Sequence, residues 1–316
     1  MDIVFVTHNE LGRRCIHTLA DLGGTISAIY TRTESERISD QISFDQVAAE
    51  TNSDLHEVES VNEAAVVDRI EQYAPDLLFV VGWSQLVNQR VIEIPSVAAL
   101  GMHPTPLPRG RGRAPVAWNL IKGYERTKLS LFELEEEADA GQIYGQHEIT
   151  IDERDDAQTL NQKIYEAGER LLRSCYPRIE DGSIAPSAQD DAEATWWPRR
   201  RPHHGLIDWN RSARDLHNWI RGQTHPYPGA FTHLHDTRVT IWSSEPPTGE
   251  KVFAKPGEII AVRGDNLAVA AWEEVIELRT VQIEDGDEVP ASELIENDGF
   301  DIGAVFENAR DRLVDT

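Results

Sequence analysis

Cysteine is nearly absent: Cys15 and Cys175 are the only two, far apart in helix-like stretches. Two thiols supply neither a disulfide framework nor a zinc-ligand set, so both are read as buried small hydrophobes. No apolar run approaches the roughly 20 residues that span a bilayer, which excludes a helical membrane protein and leaves a soluble globular one. The opening Met1-Asp2-Ile3-Val4-Phe5-Val6 puts an acid where a secretion leader carries basic residues, and no small-residue cleavage site follows; the expected location is the cytoplasm. Lysine is scarce as well, 5 of 30 basic residues, against 55 acidic ones and a net charge of -25. Surface acid with few lysines resembles proteins of high-salt cytoplasm, and at molar salt the Debye length is roughly 3 Å. Net charge then says little about the substrate, and local basic clusters matter more.

What is present is a chain of 316 residues with 40% hydrophobic content, enough for two domains at a prior of about 150 residues each. The N-terminal half alternates strand-like and helix-like segments, the pattern of a parallel sheet with crossover helices. Ile3 to Val6 reads as a strand, Asn9-Glu10 opens a helix stopped by Gly23-Gly24, and Ile26 to Tyr30 is the next strand. A second unit runs from Leu55 to Val58 through a helix over 63–73 to the unbroken apolar Leu77 to Val81. The first strand is followed by Thr7-His8-Asn9-Glu10-Leu11-Gly12, without a Gly-x-Gly-x-x-Gly, so a dinucleotide site has no support. A long amphipathic helix over about 158–178 closes the first domain. Beyond it, Arg238 to Trp242, Glu258 to Val262 and Leu267 to Ala271 are short strands between turns. The expected fold is a Rossmann-like doubly wound parallel sheet with a small C-terminal OB-like β-barrel. Its expected limits are a catalytic domain over 1–185, a linker over 186–204 and the barrel over 205–316.

The stretch richest in chemistry is Gly101-Met102-His103-Pro104-Thr105-Pro106-Leu107-Pro108-Arg109-Gly110-Arg111-Gly112-Arg113-Ala114-Pro115. It follows a strand, and ligands of open parallel sheets bind outside the carboxyl ends of strands. Four prolines and two glycines fix a loop that no packing need explains, with a histidine able to move protons near neutral pH at its start. Asp139, beside Gly141 and before the strand-like Ile143-Tyr144, is a turn aspartate that can be aimed inward. A carboxylate against His103 would orient its ring, but spacing alone leaves that pairing open.

His103, Leu107-Pro108, Arg111-Gly112, Pro115, Trp118, Gly123, Thr127 and Asp139-Ala140-Gly141 together resemble the signature of 10-formyltetrahydrofolate-dependent formyltransferases. The resemblance extends to Val80-Val81-Gly82-Trp83-Ser84-Gln85-Leu86, similar to the family's folate-pocket strand and loop. Downstream it takes in Gly205 to Trp209, Ile220-Arg221 and Pro226 to Phe231, similar to the start of the family's C-terminal domain. It implies acyl transfer in which a primary amine attacks the formyl carbon and tetrahydrofolate leaves. His103 would stabilise the tetrahedral intermediate and Asp139 would polarise His103 and help remove the amine proton. The folate would lie against Val81, Gly82, Trp83, Ser84 and Leu86 and the loop Thr105-Pro106-Leu107-Pro108, with Arg111 beside it. The chain departs from the family at Gly101, where an asparagine is usual, so either a backbone amide, a water or another group replaces that donor or turnover is impaired. Lys128 likewise stands where a glycine is usual.

Two acceptors are usual for such enzymes, an amino group on a nucleotide-linked sugar and the methionine of charged initiator tRNA. The tRNA enzymes carry a basic insertion after the second strand; here Thr31 to Asp40 mixes arginines with acids, poor for gripping phosphates. Ser39 to Asp45 and Gly82-Trp83-Ser84 look more like the sugar-type enzymes, so a nucleotide-linked amino sugar is the expected small-molecule partner. Methionyl-tRNA is second, with a formyltetrahydrofolate hydrolase or a non-catalytic folate-binding protein behind it. No membrane partner is expected, and a homo-oligomer is left open. Arg109, Arg111 and Arg113, and Arg199-Arg200-Arg201, suit a diphosphate or folate's glutamate tail, and equally suit salt bridges to the surplus carboxylates. His203-His204 and His233-Leu234-His235 bring no further ligands at metal spacing, so no metal is expected.

Overall fold

The computed structural model describes residues 1–33, 40–297 and 299–309. In chain order the first elements are β1 (Asp2–Val6), α1 (Glu10–Asp21), β2 (Thr25–Arg32), α2 (Asp45–Thr51), β3 (Asp54–Val58), α3 (Ala64–Tyr73) and β4 (Leu77–Val80). There follow α4 (Gln89–Ile92), β5 (Ala98–His103), β6 (Arg111–Gly112), α5 (Pro115–Ile121), β7 (Arg126–Glu133), β8 (Ile143–Thr150), α6 (Ala157–Glu180) and β9 (Trp196–Trp197). The remainder are α7 (Ala213–Arg221), β10 (Ala230–Leu234), β11 (Thr237–Ser244), β12 (Ile259–Arg263), β13 (Asn266–Ala270), β14 (Val275–Ile283) and β15 (Glu288–Pro290).

Two compact units result, and they interleave along the chain. One comprises Met1–Pro115, Arg126–Thr150 and Asn161–Pro198, the other Val116–Glu125, Ile151–Leu160 and Arg199–Thr316. The limits expected at 185 and 205 are linear. Val116–Glu125 and Ile151–Leu160, which lie before those limits, group with the C-terminal unit.

The first unit is built on a seven-stranded sheet of order β3-β2-β1-β4-β5-β7-β8. The Rossmann-like parallel sheet expected is present: the strands from β3 through β5 are parallel, and β5–β7 and β7–β8 add an antiparallel edge. Gly123 takes a positive φ just after α5, and a nine-residue connection over 134–142 joins the antiparallel β7 and β8. Unbroken apolar runs in β1 and β4 reflect burial on both faces: Ile3 to Val6 and Leu77 to Phe79 are fully buried. Asn9 caps α1 by accepting from the Gly12 amide at 3.3 Å, so the chain turns sharply at the carboxyl end of β1. Cys15 and Cys175 are buried free thiols on α1 and α6, and burial pushes both thiols up.

The second unit holds a six-stranded antiparallel sheet of order β10-β11-β14-β13-β12, with β15 on β14. The barrel expected there takes this form, and its core gathers Trp209, Leu216, Ile220, Ile241, Leu267, Ile276 and Phe306. Ser212 caps α7 through the Asp215 amide, and α7 packs Leu216 and Ile220 inward. Among the described residues no helix is long and apolar enough to cross a membrane.

Candidate active site

β5 ends at His103, a residue only 7% exposed. Its Nε2 lies 2.9 Å from the Gly110 carbonyl, an acceptor, so Nε2 carries the hydrogen. Nδ1 is 3.8 Å from Asp139 Oδ1. The pairing that spacing left open is therefore present in the structure. Asp139 reaches this position from the β7–β8 connection with φ at +59°, a left-handed conformation that aspartate tolerates better than most residues. Its other oxygen, Oδ2, accepts from the Gly112 amide at 2.8 Å. The loop after His103 thus supplies a carbonyl to the histidine and an amide to the aspartate. A ring with hydrogen on Nε2 and a carboxylate beside Nδ1 can hold a second proton without leaving a charge unpaired.

The loop itself is pinned from below. Ser130 Oγ donates to the Thr105 carbonyl at 2.7 Å, Gln146 Nε2 donates to Leu107 O at 3.0 Å, and the Leu107-Pro108 peptide is cis. Thr105 is fully buried, and its Oγ1 has no hydrogen-bond partner among the described residues. Pro106 and Pro108 are half-buried and Leu107 is buried.

Gly101, two residues before His103, faces the β7 side chains. A Cβ there would lie 2.9 Å from Leu134 Cδ2 and 3.1 and 3.2 Å from Phe132 ring atoms. An apolar wall stands where an asparagine side chain would begin.

A second cluster forms where the chain order of the sheet reverses, between the carboxyl ends of β1 and β4, the place where open α/β sheets bind ligands. The β1 end contributes His8, 4% exposed, and Asn9; the β4 end contributes Val81, Gly82 and Trp83. His8 and Trp83 have ring centroids 5.7 Å apart, and the Arg32 guanidinium lies 5.7 Å over the Trp83 ring. His8 Nδ1, Trp83 Nε1 and Arg32 Nε are buried with no hydrogen-bond partner among the described residues. Asp40 sits 3.8 Å from His8 Nε2 and accepts from Asn9 Nδ2 at 3.2 Å. Burial acts to raise the Asp40 carboxyl, but His8, Asn9 and its own backbone amide outweigh it and hold it below the usual carboxylate range. Gly82 has φ of +62°, and a Cβ there would lie 2.1 Å from Asn9 Oδ1, so only glycine allows this approach. Ser84 and Leu86 point outward, Leu86 with 64% exposure.

His8, Asn9, Arg32 and Asp40 were not expected as site residues. His8 and Asn9 follow β1 directly, and the strand-end rule that singled out His103 applies to them equally. Arg111, expected beside the folate, is 1% exposed and engaged internally, 2.7 Å from Asp191 and bonded to Gln189 at 2.9 and 3.2 Å. Arg109 pairs with Glu193, and Arg113 is exposed. Of the second arginine run, Arg200 lies 5.0 Å over Trp118 and 4.7 Å over Trp219, where burial lowers its pKa to about 10 and still leaves it charged at neutral pH. The 34–39 part of the acid-and-arginine stretch lies outside the described residues. No group of three or more metal-ligating side chains occurs among the described residues.

Two family models match the chain, "Formyl transferase" over residues 9–175 and "Formyl transferase, C-terminal domain" over 200–299. The chain belongs to the formyl transferase family. Similar solved formyl transferase folds include HypX from Aquifex aeolicus in complex with tetrahydrofolic acid. It is 18% identical with a TM-score of 0.67, over 93% of this chain and 46% of HypX. The chain therefore spans about half the length of HypX. WlaRD, a sugar 3N-formyl transferase solved in the presence of dTDP and 5-N-formyl-THF, is 14% identical with a TM-score of 0.68, over 91% of this chain and 99% of its own. The methionyl-tRNA formyltransferase from Clostridium thermocellum is 16% identical with a TM-score of 0.58, over 90% and 100%. At these identities the likeness establishes the shared formyl transferase fold.

Proposed function

We propose that the protein transfers a formyl group from 10-formyltetrahydrofolate to the primary amine of a nucleotide-linked amino sugar. The observation that carries formyl transfer is the His103–Asp139 pair at the carboxyl end of β5, held by Gly110 and Gly112 of one loop. In this proposal the amine nitrogen attacks the formyl carbon. His103 Nδ1 and Asp139 handle the proton that the amine gives up, and that proton ends on the leaving nitrogen of tetrahydrofolate. Gly101 adds no donor, since Phe132 and Leu134 line that side. The folate's pterin would lie against Val81, Gly82, Trp83, Ser84 and Leu86 and the Thr105-Pro106-Leu107-Pro108 loop, where strand-end backbone groups supply donors and acceptors.

The sugar acceptor draws its support from the cluster at the sheet's switch point. Arg32 Nε and His8 Nδ1 are buried without a hydrogen-bond partner among the described residues, chemistry that suits a phosphorylated compound. A sugar enzyme of the family solved with dTDP shares the fold over nearly its whole length. The test is formyl transfer from 10-formyltetrahydrofolate, at molar salt, to a panel of nucleotide-linked amino sugars and to charged initiator tRNA. Transfer to a sugar that His103→Ala abolishes supports the proposal, transfer to tRNA alone replaces the acceptor, and formate release without an amine replaces the reaction.

A further inference from the structure

Asp139 keeps a left-handed backbone at φ +59°. For a non-glycine residue that conformation persists only where surrounding contacts over-determine it. The contacts come from the far end of the first unit, the segment that follows α6. Gln189 Nε2 donates to the Asp139 carbonyl at 2.8 Å and to the Gly141 carbonyl at 2.7 Å, bracketing the turn on both sides. Its Oε1 accepts from Arg111 Nε at 3.2 Å and Nη2 at 2.9 Å. One amide therefore ties the Asp139 turn to the loop whose Gly110 and Gly112 hold His103 and Asp139. Both ends of that amide are determined by their partners, carbonyls on one side and a guanidinium on the other.

Each anchor is itself built in. Arg111 is 1% exposed and also bonds Asp191 at 2.7 Å. β6 pairs in parallel with β9, the Gly110 amide donates to Thr195 Oγ1 at 2.9 Å, and a Cβ on Gly112 would lie 2.4 Å from the Trp197 carbonyl. Ser187 exchanges backbone bonds with Ile143 at 2.8 and 2.9 Å, so Gln189 is two residues from a fixed point. On the turn side, Gly141 lies so close to the Glu133 carbonyl that a Cβ would be 1.9 Å from it. The turn and the loop also meet directly, through Asp139 Oδ2 on the Gly112 amide and an Arg111–Glu137 ion pair at 3.6 Å, and Gln189 adds a bond to each from a third segment.

Resting on the formyl-transfer proposal, we infer that Gln189 is a positioning residue for the reaction: it sets the Asp139 turn so that the carboxylate reaches His103 Nδ1 and the Gly112 amide. It touches no reacting atom. Misplacing a reactive group by about 1 Å costs on the order of 100-fold in rate, and that is the scale to look for.

The test compares Gln189→Met, Gln189→Glu, Asp139→Asn and the Gln189→Met/Asp139→Asn pair with the unaltered full chain. Methionine keeps the length without hydrogen bonds; glutamate keeps the Arg111 contact but cannot donate to the two carbonyls, and serves if the methionine variant fails to fold. The expected result is a kcat lower by about 10- to 100-fold with the folate KM within about twofold. The double variant should be no slower than Asp139→Asn alone, because Gln189 acts through Asp139. Amide exchange at Gly112, which needs no substrate, should quicken in each variant. Losses that multiply, an unchanged kcat, or a Gly112 amide as protected as in the parent would overturn the inference. Should the parent transfer formyl to no acceptor, the formyl-transfer proposal fails, and Gly112 exchange still decides what Gln189 holds.

Discussion

Two histidines in this chain are equally buried and share one feature, and they differ in one neighbour. His103 and His217 are 7% and 3% exposed, and each turns Nε2 to a backbone carbonyl, Gly110 at 2.9 Å and Glu153 at 3.1 Å. At the second nitrogen His103 faces the Asp139 carboxylate, while His217 meets the Ser244 hydroxyl at 3.0 Å. A carbonyl on Nε2 requires hydrogen there, so His217 Nδ1 accepts from Ser244 and the ring is neutral and complete. His103 has a carboxylate where a second proton would sit. Burial alone therefore does not make a reactive histidine; the group at the second nitrogen decides what the ring can exchange a proton with.

The largest expected effect separates the two rings outright. His103→Ala should lower formyl transfer about 1,000-fold, within the range of a lost acid–base group, while His217→Ala leaves the rate per folded molecule unchanged. Single-turnover assays read this directly, and a comparable loss in both would break the comparison. Next, Asp139→Asn makes the neighbour of His103 uncharged, as Ser244 is for His217. The rate should fall about 100-fold with folding intact, and a rate near that of the parent would mean that the carboxylate is not what distinguishes the two.

The same contrast runs in stability. His217→Ala leaves a cavity and an unpaired Ser244 hydroxyl, at a cost of about 2–3 kcal/mol in urea unfolding of the full chain. Gly101→Asn asks whether the His103 centre accepts a third polar group. With Leu134 2.9 Å and Phe132 3.1 Å from the added Cβ, overpacking should cost about 1–2 kcal/mol and the rate should not rise. A rise would show that the wall yields and the centre lacks a donor.

Much of this was legible before the structure. His103 was found because strand ends in parallel sheets face ligands, and β1, β2 and β4 because apolar runs between turns are local signals. The antiparallel pair β7–β8 was not, since Arg126 to Glu133 mixes polar and apolar residues and its direction depends on the turn that follows. The partners of Arg111 were not legible because a sequence lists its charges without their partners: Asp191 and Gln189 lie some 80 residues on and meet it only in the fold. Arg200 illustrates the same point, since its stacking on Trp118 and Trp219 follows from tertiary packing alone. The His8–Trp83 cluster was within reach, because both residues directly follow strands that were already assigned.

The smallest expected effect is the share of a pH dependence that His217 contributes, beside His56, whose pKa burial also lowers. Burial lowers the pKa of His217 below the usual 6.5, and Arg221 and Arg214 add to that, while the Glu153 carbonyl and carboxylate oppose it. The folded ring thus binds its proton less readily than the unfolded chain does. As pH falls below about 6.5 the unfolded state takes up the proton first, so stability drops with pH until the folded pKa is passed. Asp40, held below its usual 3.8, acts with the same sign in a window that opens only near pH 3.8. Glutamine at 217 can donate to a carbonyl and accept from a hydroxyl without titrating. His217→Gln should therefore partly flatten the fall of the urea midpoint below about pH 6.5, with the His56 share remaining. Because the leading cause is desolvation and not distant charge, the flattening should persist at molar salt. A limb that vanishes with salt in the parent would trace it instead to the nearby arginines, and the two histidines would then differ by their charged surroundings more than by one neighbour.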